Sequence, residues 1–474
     1  MSTIPASAKL ERLPLDCSLK PQEALRALAG EPWPFALTGD WASGGAVVGS
    51  SPLVVAEPDA DPFALLDALP VVGEQLHRGP AVGGGWFGWL GYRLGRRIED
   101  LPEGPPRPVP FPDFHLAYYD HVLHLDPSGQ WWFEALLDRT TEARIARRLN
   151  DLRARLADPR RSSPGSDAPE RFRLSHTDKS THMAAVNECR ERIAAGEIYQ
   201  ANICLRLETG WAGSITELYA RALERIWPTH GGAFQTPWGG IASLSPELFL
   251  RRAGDAVVTA PIKGTIKRPE DEDIAQAALA RLRRSAKDAA EHVMIVDLMR
   301  NDIGRVCAYG TVEAQRVPEA EAHPGVWHLV SKVRGRLRPA VGNGELLRAT
   351  FPPGSVTGAP KVQAMHVISE LEQTGREVYT GGIGFASPVA GLELNVAIRT
   401  FEQRNGRLWL GAGGGIVADS DPEHEFEEAL VKAAPLAAAI GSRIAPEAWE
   451  GSRIPFRGTE SVTDDHHHAA IAVR

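Results

Sequence analysis

The sequence lacks any cysteine pair at metal-clip or redox spacing: Cys17, Cys189, Cys204 and Cys307 are its four cysteines in 474 residues, and none forms CxxC. A chain of this size needs no disulfide framework, and scattered thiols suit a reducing compartment. Met1 to Ala24 also lacks a basic segment followed by an apolar core, so no export signal is expected, which predicts a cytoplasmic protein. No uncharged apolar run approaches the roughly 20 residues that span a bilayer. Lysine and arginine form no face-length block, and the net charge is −8. That balance argues against nucleic acid or an anionic membrane as the main partner, while a few local cations still suffice for a small anionic substrate. His466–His468, in a polar tail, read as incidental.

What is present is 43% hydrophobic residues, enough for one very large core or a few ordinary ones. Residues 1–155 are rich in Pro, Gly and aromatics, with short apolar runs at Ala46–Val48 and Leu53–Ala56 and the segment GGGWFGWLG at Gly83–Gly91. They predict short strands, with helices at Pro21–Ala29 and Thr141–Leu156. Residues 156–178 are polar and breaker-rich, a surface linker. From 179 to 442 the texture changes. Met183, Val186, Cys189 and Ile193 recur at helical spacing, with Gly196 at the C-cap, and Tyr199–Leu207 reads as a strand. Ser285 can cap a helix through Asp288, Glu291 and Met294 to about Arg300. Further strands are predicted at Ala256–Ala260, Gly381–Phe385, Asn395–Phe401 and Leu408–Ala412, and a closing helix at Glu423–Ile440. Residues 443–474 read as a poorly ordered tail. The pattern is α+β, without regular βαβ alternation.

Several segments invite chemistry. Gly354–Lys361 (GSVTGAPK) superficially resembles a phosphate loop, but Ala-Pro precedes its lysine where a Walker motif needs Gly-Lys-Ser/Thr. Gly411–Gly415 (GAGGG) is either a tight turn or a run of exposed N–H groups suited to a carboxylate. Asp288 and Glu291 lie three apart on one helix, Glu425 and Glu428 on another; each pair shares a face, so the two could converge on a hard cation. Equally, Glu428 and Lys432 suit a surface i, i+4 ion pair. In Pro261–Thr265 (PIKGT), Lys263 is either a surface lysine beside a turn or an amine nucleophile. An unperturbed lysine is less than roughly 0.1% neutral at pH 7, so the second role needs burial or nearby cations such as Lys267 and Arg268.

Together these segments are similar to the chorismate-utilising family, which includes anthranilate, aminodeoxychorismate, isochorismate and salicylate synthases. The similarity is collinear from Lys179 to Ala439. It runs through GEIYQAN (Gly196–Asn202), SLSPE (Ser243–Glu247), PIKGT, KDAAEHVMIVDLMRND (Lys287–Asp302), HLVS (His328–Ser331), GSVTGAPK, AIRTF (Ala397–Phe401), GAGGGIVADSDP (Gly411–Pro422) and EFEEALVKA (Glu425–Ala433). The resemblance implies two stacked, mainly antiparallel sheets ringed by helices, with a cleft between. It implies Mg²⁺ held by Glu291 and Glu428, with Glu425 and Asp288 in support, against the ring carboxylate of chorismate. Tyr379, Arg399, Lys432 and the amides of Gly413, Gly414 and Gly415 match groups that grip the enolpyruvyl carboxylate. His328 matches the general acid for the C4 hydroxyl, and Glu247 an acid beside the reacting carbons. The resemblance also implies that Gly264 and Thr265, which follow the lysine, lie at the substrate.

Within the family, Gln200 stands where water-adding members resemble one another in carrying a lysine base, and glutamine cannot deprotonate water. Lys263 makes PIKGT similar to the aminodeoxychorismate synthases, where anthranilate synthases look like PIAGT. If Lys263 takes C2 of chorismate first, ammonia is directed to C4. The cysteine contexts lack a glutaminase nucleophile elbow, so the resemblance implies ammonia from a separate glutamine amidotransferase subunit. An anthranilate-type synthase carrying a lysine, and a non-catalytic chorismate-binding subunit, are the alternatives.

Overall fold

Successive residues of a strand face opposite ways, so Phe35 and Leu37 enter one apolar layer while Ala36 enters another. The same alternation separates Phe87 and Trp89 from Trp86 and Leu90. The layer they share is a zipper of rings, with centroids 4.5 Å apart for Phe35–Phe87 and 5.5 Å for Phe87–Phe385. Phe35 belongs to one sheet and Phe87 and Phe385 to another, so the layer is the filling of a sandwich.

The computed structural model describes residues 4–73, 79–158, 168–269, 271–284, 286–315, 317–323 and 326–450. Among them the strands form sheets of 13, nine and three members. The largest runs from Arg173–Leu174 through Gln200–Gly210, Arg407–Ile416, Thr400–Arg404, Gly239–Ser243 and His230–Thr236. It continues through Phe35–Gly39, Gly45–Gly49, His121–Leu125, Trp131–Leu137 and Ser7–Pro14 to Val71–Val72. The nine-stranded sheet centres on Leu248–Ala253, Gly391–Val396, Gly382–Ser387 and Gly85–Leu90. Neighbours pair antiparallel throughout, apart from Val71–Val72 against Ser7 and Ala8. Strands from before residue 155 thus complete both large sheets. The outer face of the first is covered by helices Pro21–Leu28, Glu142–Ala157, Ile215–Leu223 and Pro422–Ala439, and that of the second by Ala286–Gly304 and Asn343–Thr350. This is the α+β sandwich expected. No described helix is long and apolar enough to cross a membrane.

Helices at Pro21–Leu28, Glu142–Ala157, Lys179–Ala194 and Pro422–Ala439 lie where periodicity placed them, and Gly196 follows its helix at φ +80°. Ser285, the expected cap of helix Ala286–Gly304, lies outside the described residues, as do 159–167 of the linker and 451–474. Three expectations need correction. The strand predicted at Asn395–Phe401 is two, Gly391–Val396 and Thr400–Arg404, because Arg399 takes a left-handed φ of +51° between them. Gly411–Gly415 is not a tight turn but part of the strand Arg407–Ile416. The tail starts later than residue 443: Ile444 bridges to Phe172, Ala445 N–H donates to Phe172 O at 2.7 Å, and Ala448 is buried.

Lys361 shows what the phosphate-loop look-alike does. Its ammonium donates to Asp302 Oδ2 at 2.5 Å and to the carbonyls of Thr350 and Pro352 at 2.6 and 2.9 Å, tying helix Lys361–Leu371 to helix Ala286–Gly304. Removing one partner of a buried pair leaves the other charge stranded. Lys361→Met should therefore lower unfolding free energy by about 3–5 kcal/mol, measured by urea titration, and adding Asp302→Asn should restore much of it. Equal losses in the single and double variants would refute the pairing.

Candidate active site

Lys263 lies on strand Ile262–Lys267, paired with Val326–Val330. The register passes from Ile262 opposite Val330 to Thr265 opposite His328, so the lysine strand holds one extra residue, a bulge at Lys263–Gly264. Gly264 takes φ +83° there, a conformation that resists a Cβ. Bulges re-aim side chains, and this one leaves Lys263 Nζ 3.6 Å from Glu291 Oε2, each side chain only about 15% exposed. His328 is buried on the partner strand.

The second element is the glycine-rich strand. A methyl group at Gly415 would fall 1.9 Å from Gln200 Nε2 and 3.4 Å from Lys263 Nζ. One at Gly413 would meet Ile203 O at 2.4 Å and Cys204 Sγ at 2.8 Å, and one at Gly411 would meet the Tyr379 ring at 2.4 Å. On the opposite face, a methyl at Gly414 would lie 3.1 Å from Glu425 Oε2 and 3.5 Å from Lys432 Nζ. Lys432 donates to Gly413 O at 3.0 Å and pairs with Glu428 at 2.7 Å, so the i, i+4 pair exists, anchored to this strand. Glu425 accepts from Ser420 Oγ at 2.7 Å. Strand Thr400–Arg404 pairs with the glycine strand only as far as Leu410. From Gly411 onward no described strand runs along that edge, which leaves alternate backbone groups free of a ladder there.

Glu247 and Arg399 complete the set. Burial pushes the Glu247 carboxyl up to about 7, against the Ser355 hydroxyl, the Lys263 charge, the Ile262 N–H and the Arg399 charge, which all favour the carboxylate. Burial likewise pushes the Arg399 guanidinium down, with Glu247 opposing. The left-handed Arg399 is a strained residue at a site, as are Glu377 (φ +56°) and Thr380 (φ +66°) around Tyr379. Glu402 holds that loop by accepting the N–H groups of Val378 and Tyr379 at 2.7 and 2.8 Å.

The structure therefore gathers Lys263, Glu247, Glu291, Gln200, Arg399, Tyr379, Gly413–Gly415, Glu425, Glu428 and Lys432 around one strand and one bulge. The side chains of Asp288, Thr265 and Lys267 lie outside the described residues. Arg268, a proposed influence on Lys263, instead covers the Trp327 ring at 4.9 Å and pairs with Glu272. Among the described residues no three His, Cys, Asp or Glu side chains close into a metal cage. Glu291, Glu425 and Glu428 carry oxygen donors, the type a hard divalent cation takes, usually from one or two protein carboxylates at a time. Glu291 and Glu428 each face a lysine here. Sequence reasoning missed Ser355, which touches Glu247, and His292, whose Nε2 lies 2.5 Å from Ser331 Oγ behind the lysine strand. Both sat inside motifs already quoted, but only the folded chain shows what they touch.

The profile of a family described as chorismate binding enzyme matches residues 39–438. The chain is 37% identical over 358 residues to aminodeoxychorismate synthase component 1 of Escherichia coli, covering 74% of this chain and 75% of that one. It is 34% identical over 454 residues to anthranilate synthase component 1 of Streptomyces coelicolor, covering 90% and 87%. Among solved structures, anthranilate synthase component I from Streptococcus pneumoniae superposes with a TM-score of 0.69 at 28% identity, over 92% of this chain and 93% of that one.

A carboxyl raised to about 7 binds its proton more tightly folded than unfolded. Unfolding then releases a proton, and stability is lost as pH rises from about 4.5 towards 7. Glu247→Gln carries no such penalty. Its stability advantage over the wild type should grow by about 2 kcal/mol between pH 5.5 and pH 8 in urea titrations. An advantage independent of pH would contradict the raised carboxyl.

Proposed function

The chain belongs to the chorismate-binding enzyme family, and we propose that within it the protein is the synthase component that aminates chorismate at C4, giving 4-amino-4-deoxychorismate. The observation that carries this reading is the place of the Lys263 amine, aimed by a bulge into the cluster of Glu247, Glu291 and Gln200.

In this reading the neutral amine forms a bond to C2. The ring double bonds shift, and the C4–O bond breaks, the hydroxyl leaving as water with a proton from His328. Glu247, titrating near 7, is matched to proton transfer at the amine. Ammonia then bonds to C4, the double bonds return, and the N–C2 bond breaks to release Lys263. C2 is occupied when ammonia arrives, so the lysine decides the product. Tyr379, Arg399, Lys432 and the backbone amides of Gly413–Gly415 receive the enolpyruvyl carboxylate. Glu291 and Glu428 would hold a Mg²⁺ ion, which supplies positive charge for the ring carboxylate, with Glu425 and, by its motif position, Asp288 in support. Gln200 in place of a base favours ammonia over water as the nucleophile.

Ammonia comes from a separate glutamine amidotransferase. The four thiols support that division of labour: burial raises all of them, Cys189 and Cys204 to about 12, the reverse of an activated nucleophile. Direct amination at C2, giving anthranilate, is the second reading, favoured by the extent of similarity to the Streptomyces coelicolor protein.

Given chorismate, Mg²⁺ and ammonium, the protein should accumulate 4-amino-4-deoxychorismate by mass, and Lys263→Ala should bring its formation near background. Fluorescent anthranilate as main product, or an unimpaired variant, would sink the proposal. Glu291→Gln and Glu428→Gln should each abolish activation by Mg²⁺ in the same assay; a wild-type Mg²⁺ titration in either would remove it from the ligand set.

A further inference from the structure

Consecutive residues of a helix point about 100° apart, and Glu291 and His292 use that angle to address one lysine from two sides. Glu291 meets the Lys263 ammonium at 3.6 Å. His292, only 4% exposed, turns to the main chain behind it: Nε2 lies 2.5 Å from Ser331 Oγ, and Ser331 N–H donates to Pro261 O at 3.4 Å. Ser331 is itself fully buried, just past the strand paired with the lysine bulge. The second ring nitrogen, Nδ1, is buried without a hydrogen-bond partner among the described residues, and both the main chain and the charge of Lys263 act on the ring. Helix Ala286–Gly304 packs on strand Ile262–Lys267, so this contact joins helix to bulge.

We propose that His292 is a positioning residue that, with Ser331, pins the Lys263 bulge to helix Ala286–Gly304 and so fixes where the amine stands. The inference rests on the C4-amination reading above. A bulge is the softest part of a ladder, since its extra residue has no partner across the strand. The geometric demand at the amine is severe, because a misplacement of about 1 Å costs about 100-fold in rate. A lysine that fails to reach C2 in time leaves that carbon open to ammonia, so loosening the bulge changes which product forms as well as how fast.

The test uses the full chain with chorismate, Mg²⁺ and ammonium, comparing wild type, His292→Ala, His292→Gln and Ser331→Ala, each shown folded by its thermal transition. Gln can place an amide nitrogen near the position of Nε2. His292→Ala should lower kcat by about 100-fold with little change in the KM for chorismate. It should also raise the ratio of anthranilate to 4-amino-4-deoxychorismate. Ser331→Ala should move both in the same direction, and His292→Gln should recover part of both. A purely structural histidine would lower the melting temperature and leave the product ratio of the folded enzyme alone. That ratio unchanged in both His292→Ala and Ser331→Ala overturns the proposal. If His292→Ala does not fold, Ser331→Ala alone decides it. A wild type that yields only anthranilate defeats the C4 reading instead, and is told apart by the first measurement.

Discussion

There is no room for a side chain along one face of the strand Gly411–Gly415, and the site depends on that exclusion. Any Cβ at Gly411, Gly413 or Gly415 would lie within 2.4 Å of the Tyr379 ring, the Ile203 carbonyl or the Gln200 amide. A bare backbone lets groups from separate elements close on the strand from both faces: Lys263 and Gln200 on one, Glu425 and Lys432 on the other. Because the neighbouring strand stops at Leu410, the same residues offer an edge as well as two faces. Glycine here is a packing requirement before it is a conformational one, since none of the three takes a left-handed φ.

Closeness alone would not hold so many charges together out of water, and the arrangement is a set of mutual compensations. Glu247 and Arg399 are each pushed towards neutrality by burial and held back by the other's charge. Behind Tyr379, the buried Arg376–Glu372 pair ties three segments together: Arg376 donates to the Val356 carbonyl, and Glu372 accepts from Cys204 N–H at 2.8 Å. The strained backbone at Glu377, Thr380 and Arg399 sits inside this frame, which is what maintains it. Where such a frame exists, a carboxyl titrating near neutrality follows from burial without a dedicated partner.

Much of the fold was legible in the sequence for reasons that can be named. The helices Glu142–Ala157 and Pro422–Ala439 carry apolar stripes against the large sheet, and a one-sided stripe has a period. The strand Gly85–Leu90 was harder to read, because in a sandwich both of its faces are covered and alternation vanishes. Asn395–Phe401 was misread as one strand for a different reason: nothing in an arginine announces a left-handed backbone. The glycine run misled as well, since local rules give glycine to turns and only the packing of Tyr379 and Gln200 gives it to this strand.

By itself the sequence determined the α+β class, from local periodicity, and the motifs of the chorismate-binding family, short contiguous patterns whose resemblance implied two stacked sheets and the candidate site residues. Tertiary structure alone decided what those residues touch. It set Lys263 on a bulge against Glu291, backed it with His292 and Ser331, and buried Glu247 until its carboxyl titrates near 7. It also gave Lys361 a structural task. The reason is physical: burial and the distance between charges are properties of chain segments far apart in sequence, and no local pattern contains them.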